Sequence, residues 1–143
     1  MPIYRRCGRC GARILSGTTC PCMKDANRER YRIYDKTQRD AKSKQFYNSA
    51  AWLRERRHVI EDLDDGMDVY AYVVHGRIVP ADTVHHIIPL RDDWKLRLSD
   101  HNLMSVSSAS HAEVEALYKQ SKQAAVAMLQ KIVRTHRQAL GTW

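Results

Sequence analysis

A short apolar stretch with two adjacent histidines constrains the fold of this chain more than any other feature. His85 and His86 follow Val84 and precede two isoleucines, a composition typical of a β-strand. Asn102 begins a second alternating stretch, and His111 lies near the start of a predicted helix. A strand, a loop, a second strand and a helix would bring these side chains together, so the pattern predicts a small α+β core.

The two neighbouring histidines are expected to have different functions. Adjacent residues of a strand face opposite sides of the sheet, so His85 and His86 cannot act alike unless the strand twists sharply. We expect His85 to bind a divalent metal together with His111. His86 would stay free of metal, face the cleft and act as a general base near neutral pH. The alternative is that these histidines are ordinary core or surface residues.

The four cysteines of the chain all lie within its first 22 residues and form two close pairs: Cys7 and Cys10, and Cys20 and Cys22. Two such pairs joined by a short loop can place four thiolates around one tetrahedral Zn²⁺. A disulfide is the alternative, and a reducing cytosol disfavours it. Because few apolar residues lie in this segment, metal binding would supply its folding energy.

The net charge of the 143-residue chain is +8, but the charge is spread unevenly. Residues 1–60 hold fifteen Lys and Arg against five Asp and Glu, whereas residues 61–100 hold four against nine. A basic first part beside an acidic middle favours a phosphate-backbone partner, although a solvated basic face would have the same composition.

The N-terminus does not read as a signal peptide and no apolar run is long enough to span a membrane, so we expect a cytoplasmic protein without a membrane partner.

The chain divides into four predicted segments: a four-cysteine zinc module (1–23), a basic helix or linker (24–45), the histidine-bearing core (46–120) and a C-terminal helix (121–143). Within the third segment, Ser49 is the predicted N-cap of a helix. The outer side of that helix carries three arginines that could contact a phosphate backbone: Arg54, Arg56 and Arg57.

The histidines, the asparagine and their neighbours resemble the motif of the HNH (His-Asn-His) endonucleases: Val84-His85-His86-Ile87, Pro89, Asn102-Leu103 and His111. Upstream, Phe46-Tyr47-Asn48-Ser49 and Trp52 are similar to the small HNH proteins of tailed phages and prophages. The resemblance covers residues 46–115. It implies a ββα-metal HNH core. With the flanking helices and the small N-terminal zinc-binding module, the predicted fold class is α+β.

The resemblance also implies a role for each site residue. His85 and His111 would be metal ligands, and His86 would be the general base that activates a water. Asn102 would either pin the loop between the strands through backbone hydrogen bonds, or orient the base or complete the metal shell. A divalent ion (Mg, Mn, Ni, Co or Zn) would polarise the scissile phosphate and stabilise the leaving 3′ oxygen.

Two departures from the family pattern stand beside the last histidine. Many relatives carry a second zinc knuckle there, but Ser107 and Ser110 occupy the corresponding positions of this chain. Some relatives also have another histidine four residues after the last one, where this chain has Glu115. Glu115 could be a carboxylate ligand or a surface residue, and it lies on the same helical face as His111.

Residues 69–79 are predicted to form a β-hairpin. Residues 69–74 are rich in β-branched and aromatic side chains, and Gly76 would supply the turn. Since the second zinc is missing, three hairpin residues would have to hold the site by packing: Tyr70, Tyr72 and Val74.

The resemblance implies a metal-dependent endonuclease that hydrolyses DNA by nicking or double-strand cleavage. It further implies a role in phage genome packaging beside the large terminase subunit. The alternative is a non-catalytic, zinc-dependent nucleic-acid-binding protein. The two functions differ in what they require of His86. A structural metal site would use it as a ligand or bury it, whereas an enzyme needs it free of metal and facing solvent.

Overall fold

The computed structural model describes the backbone of residues 1–143 and the side chains of residues 1–33 and 41–143. The chain folds into two compact units, residues 1–44 and residues 45–143. Side chains 34–40, which belong to the predicted basic helix or linker, lie outside the described residues. Among the helices that are described, none is long and apolar enough to cross a membrane.

The first unit contains a two-stranded sheet and most of a long helix. Strand β1 (Tyr4–Arg6) pairs antiparallel with strand β2 (Arg13–Leu15), and the turn between them carries the first cysteine pair. Helix α1 (Pro21–Tyr47) follows the second strand after a short connection that contains Cys20. The backbone of residues 24–45 is therefore helical, which decides between the helix and the linker that the sequence left open.

The second unit places a short sheet among helices. Its elements, in chain order, are α2 (Ala50–His58), α3 (Val69–His75), β3 (Thr83–His86), β4 (Leu103–Val106), α4 (Ser108–Gln120) and α5 (Lys122–Leu140). A π-helical turn (Val59–Leu63) extends α2. Strands β3 and β4 pair antiparallel, with His85 opposite Met104 and His86 opposite Leu103. This is the strand, loop, strand and helix order that the sequence predicts.

Serine caps start the two helices that matter most for the site. The Ser49 side chain accepts a hydrogen bond from the backbone N–H of Trp52 at 3.2 Å and so begins α2, as predicted. The Ser107 side chain accepts from the N–H of Ser110 at 3.3 Å and begins α4. Ser107, at a position where the family resemblance implies a cysteine in many relatives, therefore caps α4 with its side chain, and Ser110 takes part through its backbone N–H.

The hydrophobic core consists of two clusters. The first cluster contains Val69, Tyr70, Ile87, Met104, Val106, Val114, Leu129, Ile132 and Val133. The second cluster contains Phe46, Trp52, Val59, Leu63, Val84, Leu90 and Leu103. Because successive residues of a strand face opposite sides, Met104 enters the first cluster and its neighbour Leu103 enters the second.

The predicted hairpin is wrong, since residues 69–75 form helix α3. Asp68 begins this helix by accepting a hydrogen bond from the N–H of Ala71 at 2.9 Å, and Gly76 ends it with a φ of +65°. The β-branched and aromatic composition suggested strands, but the caps at both ends select a helix. Of the three residues expected to hold the site by packing, Tyr70 is buried, whereas Tyr72 and Val74 are exposed.

A buried ion pair attaches helix α5 to the sheet. The Arg137 Nε donates to Asp64 Oδ1 at 2.8 Å, and Arg137 Nη2 donates to Asp64 Oδ2 at 3.1 Å. Arg137 also donates to the backbone carbonyls of Asp100 and Leu103, and Asp64 accepts from the N–H of Ser105. Because each polar group has hydrogen-bond partners, the core can tolerate two buried charges at this point.

Candidate functional site

The first candidate metal site lies between strand β3 and helix α4. His85, His111 and Glu115 each offer one ligand atom, and these atoms lie within 4.8 Å of one another. His111 and Glu115 are four residues apart on α4, so they share a helical face, and the His111 Nε2 lies 3.6 Å from the Glu115 Oε1. Two imidazoles and a carboxylate suit a divalent transition metal. The structure thus brings the two predicted histidines together and adds Glu115.

The surroundings of His85 favour its neutral form. Its side chain is buried, and its Nε2 lies 3.2 Å from the Tyr118 hydroxyl oxygen. Burial, together with the charges that His111 and His86 can carry, lowers the pKa of His85 to about 4. The ring is therefore neutral at neutral pH, with a hydrogen on only one of its two nitrogens, and this is the form that binds a metal.

His86 lies on the opposite side of β3, inside an aromatic cluster. Its ring stacks on Trp52 with centroids 4.9 Å apart, and the rings of Phe46 and Tyr47 lie 6.0 Å away. Only 6% of His86 is exposed, because Trp52 covers the ring. The expected solvent-facing orientation of His86 is therefore wrong. Burial lowers the pKa of His86, and a hydrogen bond to the carbonyl of Arg97 opposes that shift. Its role as the general base stays a prediction.

Asn102 fastens the loop that joins β3 to β4. Its Oδ1 accepts from the N–H of Ile88 at 2.7 Å, and its Nδ2 donates to the carbonyls of Ile88 at 3.1 Å and Leu96 at 3.3 Å. These contacts match the role of pinning the loop. A role of Asn102 in orienting the base or in completing the metal shell stays a prediction.

Tyr118 is a site residue that reasoning from the sequence missed. It lies on α4 seven residues after His111, and its hydroxyl contacts both His85 and the carbonyl of Ile87. The signal was present in the sequence, because residues at helical positions 111, 115 and 118 share one face. Burial and the neighbouring Glu115 raise the pKa of the Tyr118 hydroxyl, which therefore stays protonated.

The second candidate metal site consists of the four cysteines. The Sγ atoms of Cys7 and Cys22 are 3.6 Å apart, as are those of Cys10 and Cys20. Four thiolates bound at the usual zinc–sulfur length of about 2.3 Å would be about 3.8 Å apart, whereas a disulfide needs about 2.05 Å. All four are free thiols. Their spacing therefore fits a tetrahedral zinc site and excludes a disulfide in this state.

Backbone N–H groups favour the thiolate form of Cys7, whereas hydrogen bonds with Cys10 and Cys20 raise the pKa of the Cys22 thiol to about 12. The N–H of Arg9 lies 3.5 Å from the Cys7 sulfur. Hydrogen bonds from the backbone of Cys10 and of Arg9 lower the pKa of the Cys7 thiol to about 6. A thiol with a lowered pKa ionises readily, and the thiolate is the form that binds zinc.

The three arginines predicted to contact DNA lie on helix α2 in different surroundings. Arg54 and Arg57 are exposed. Arg56 is half-buried, and its guanidinium donates a hydrogen bond to the backbone carbonyl of Asp82. A contact of these side chains with DNA stays a prediction.

Comparison with known proteins identifies the family. No family model matches the chain, and no curated protein matches it. The crystal structure of the HNH endonuclease of the deep-sea thermophilic bacteriophage GVE2, with manganese ion, matches with a TM-score of 0.56 and 34% identity over 62% of this chain and 94% of that chain.

At that identity, over nearly the whole phage protein, the chain belongs to the HNH endonuclease family. The resemblance inferred from the histidines and the predicted α+β fold are both confirmed. Membership of the family supports a nuclease activity in general.

Proposed function

We propose that this protein is a metal-dependent endonuclease that hydrolyses phosphodiester bonds of DNA. The observation that carries the proposal is the convergence of His85, His111 and Glu115 between β3 and α4 of an HNH fold. Of the ions considered from the sequence (Mg, Mn, Ni, Co and Zn), manganese has additional support, because the related phage endonuclease was crystallised with it.

The proposed roles follow from the donor atoms. His85, His111 and Glu115 would hold the ion, which when bound would polarise the scissile phosphate and stabilise the leaving oxygen. A carbonyl can only accept, so the His86 Nε2, at 3.0 Å from the Arg97 oxygen, donates. The remaining nitrogen, Nδ1, then carries the lone pair that can take a proton from water. This role requires that water reaches the Nδ1 edge of a ring that Trp52 covers.

Charged side chains of helix α2 support DNA as the substrate. Arg54, Arg56 and Arg57 would contact phosphates, which bind guanidinium groups strongly. Arg54 and Arg57 are the better placed of the three, since both are exposed, whereas the Arg56 guanidinium is engaged with the carbonyl of Asp82.

One observation favours a second candidate function, a non-catalytic zinc-dependent nucleic-acid-binding protein. His86 is 6% exposed, and burial of this residue is what a structural site would require. In that case His85, His111 and Glu115 would hold a second structural ion, and the arginines of α2 would still contact nucleic acid.

A plasmid-nicking assay separates the two functions. Wild type would be compared with His85→Ala, His86→Ala and the matched control His75→Ala, each with Mg²⁺, Mn²⁺, Ni²⁺, Co²⁺ and Zn²⁺. We expect metal-dependent cleavage that is lost in His85→Ala and His86→Ala and kept in His75→Ala, whose side chain pairs with Glu113 outside the site. If the wild-type protein cleaves the plasmid with none of these ions, the result would favour the non-catalytic nucleic-acid-binding protein. His86→Ala that cuts like wild type would contradict its role as the base.

We also propose a role in phage genome packaging, with the large terminase subunit as a partner in the cytoplasm of a bacterial host. The support is the resemblance to phage HNH proteins and the phage origin of the related structure. The test is co-purification of a tagged copy with the large terminase subunit from infected cells. Failure to recover that subunit would argue against this partner and would leave the endonuclease proposal intact.

A further inference from the structure

The Tyr118 hydroxyl lies between the His85 ring and the backbone of Ile87, the residue that follows strand β3. Its oxygen lies 2.5 Å from the carbonyl oxygen of Ile87 and 3.2 Å from the His85 Nε2. A carbonyl oxygen has no hydrogen to donate, so the single hydroxyl hydrogen of Tyr118 goes to Ile87. Towards His85 the hydroxyl can then only accept. The hydrogen between Tyr118 and His85 must therefore belong to Nε2.

This assignment decides which nitrogen of His85 is available to a metal. A histidine that binds a divalent ion is neutral and carries one ring hydrogen, so the nitrogen without it is the ligand. With the hydrogen on Nε2, the free lone pair lies on Nδ1. We propose that Tyr118 is a positioning residue that makes His85 bind the metal through Nδ1, an inference that rests on the metal site proposed above.

Helix α4 provides a physical basis for this arrangement. His111, Glu115 and Tyr118 follow one face of the helix, so a single rigid element supplies two ligands and the group that orients the third. The hydroxyl is held by two buried partners, the carbonyl of Ile87 and the ring of His85. A hydrogen-bond acceptor behind a histidine ligand sets its tautomer and ring orientation, and its loss typically weakens metal binding about 10–100-fold.

Nitrogen NMR of isotope-labelled histidine tests the assignment directly. In the metal-free protein we expect His85 to carry its hydrogen on Nε2. In the cadmium-substituted protein, the coupling between cadmium and nitrogen should identify Nδ1 of His85 as the bound atom. Binding of cadmium to the Nε2 of His85 would overturn the inference.

Calorimetric titration with Mn²⁺, after the cysteine cluster has been loaded with zinc, tests the contribution of Tyr118. Tyr118→Phe keeps the ring and should bind Mn²⁺ about 10–100-fold more weakly. The control Tyr72→Phe, on helix α3, should bind like wild type. In Tyr118→Phe, NMR should also show a mixture of His85 tautomers. Unchanged affinity and tautomer in Tyr118→Phe would overturn the inference.

Failure of this inference can be distinguished from failure of the proposed function. If His85→Ala and His111→Ala both bind Mn²⁺ like wild type, the metal site itself is wrong and both proposals fail. If both variants lose the ion while Tyr118→Phe keeps wild-type affinity and tautomer, the metal site stands and only the positioning role of Tyr118 is overturned.

Discussion

Residues 1–44 and residues 45–143 each contain a candidate metal site, but the two units are stabilised differently. Among the described side chains of residues 1–44, the buried ones are Cys7 and Cys20, which are themselves candidate ligands. In residues 45–143, two hydrophobic clusters surround the strands, and His85 projects from a framework that is already packed. An ion in the first unit would therefore stabilise the folded state itself, whereas an ion in the second unit would bind to a fold that forms without it.

The largest effect is expected from removing zinc from the first unit. Cys7→Ser should abolish zinc binding at the cluster and unfold the sheet formed by β1 and β2, because few buried apolar contacts would remain there. Residues 45–143 should keep their structure. Zinc content by mass spectrometry and hydrogen exchange along the chain measure both outcomes, with Ser16→Ala as the control. If strands β1 and β2 keep their protection from hydrogen exchange after zinc is lost, the first unit does not depend on zinc for its fold.

The next effect concerns the second unit, whose packing should respond to its buried ion pair. Arg137→Met removes one partner and leaves the Asp64 carboxylate buried without a cation, so we expect a loss of about 3–5 kcal/mol in the free energy of unfolding. Urea unfolding measures it, and the double variant Asp64→Asn with Arg137→Met should recover part of the loss. Zinc content at the cysteine cluster should not change. A loss below about 1 kcal/mol in the single variant would show that the pair matters little.

A smaller effect is expected at Asn102, measured in protein without metal at the HNH site. Asn102→Ala leaves polar backbone groups of Ile88 and Leu96 without partners, at a cost of about 1–3 kcal/mol. Asn48→Ala, which changes an exposed asparagine, is the matched control. Stability that is unchanged without metal, combined with weaker metal binding, would favour a role of Asn102 in the metal shell.

The smallest effect is a pH dependence at Glu55. Burial, aided by the neighbouring Asp100, raises the pKa of Glu55 to about 7. The folded state thus binds this proton more tightly than the unfolded state, so the associated stability is complete below the unfolded pKa of about 4.5 and is lost as pH rises towards 7.

Glu55→Gln should therefore match wild type near pH 5 and be more stable by about 1 kcal/mol near pH 8. Thermal unfolding at both pH values measures the difference, with the exposed Glu61→Gln as the control. A stability difference that is the same at both pH values would show that Glu55 does not titrate in this way.

Much of the fold and site could be predicted from sequence because it depends on local spacing. Cysteines two or three positions apart lie close together in any conformation, and a serine caps the helix that follows it through a hydrogen bond to an N–H only two or three residues ahead. The His111 and Glu115 side chains share a face at any four-residue helical spacing. Residues 69–75 were mispredicted because their composition suits a strand, whereas the caps at Asp68 and Gly76 decide for a helix.

By itself, the sequence determined the order of His85, His86, Asn102 and His111, and with it the α+β core and the family. Only the tertiary structure decided what each of these side chains meets. A strand presents His85 and His86 to opposite sides, but distant segments determine what covers each side. Helix α4 brings Tyr118 and Glu115 to His85, while Trp52 of α2 covers His86. Those contacts join residues far apart in the chain, and no local pattern encodes them.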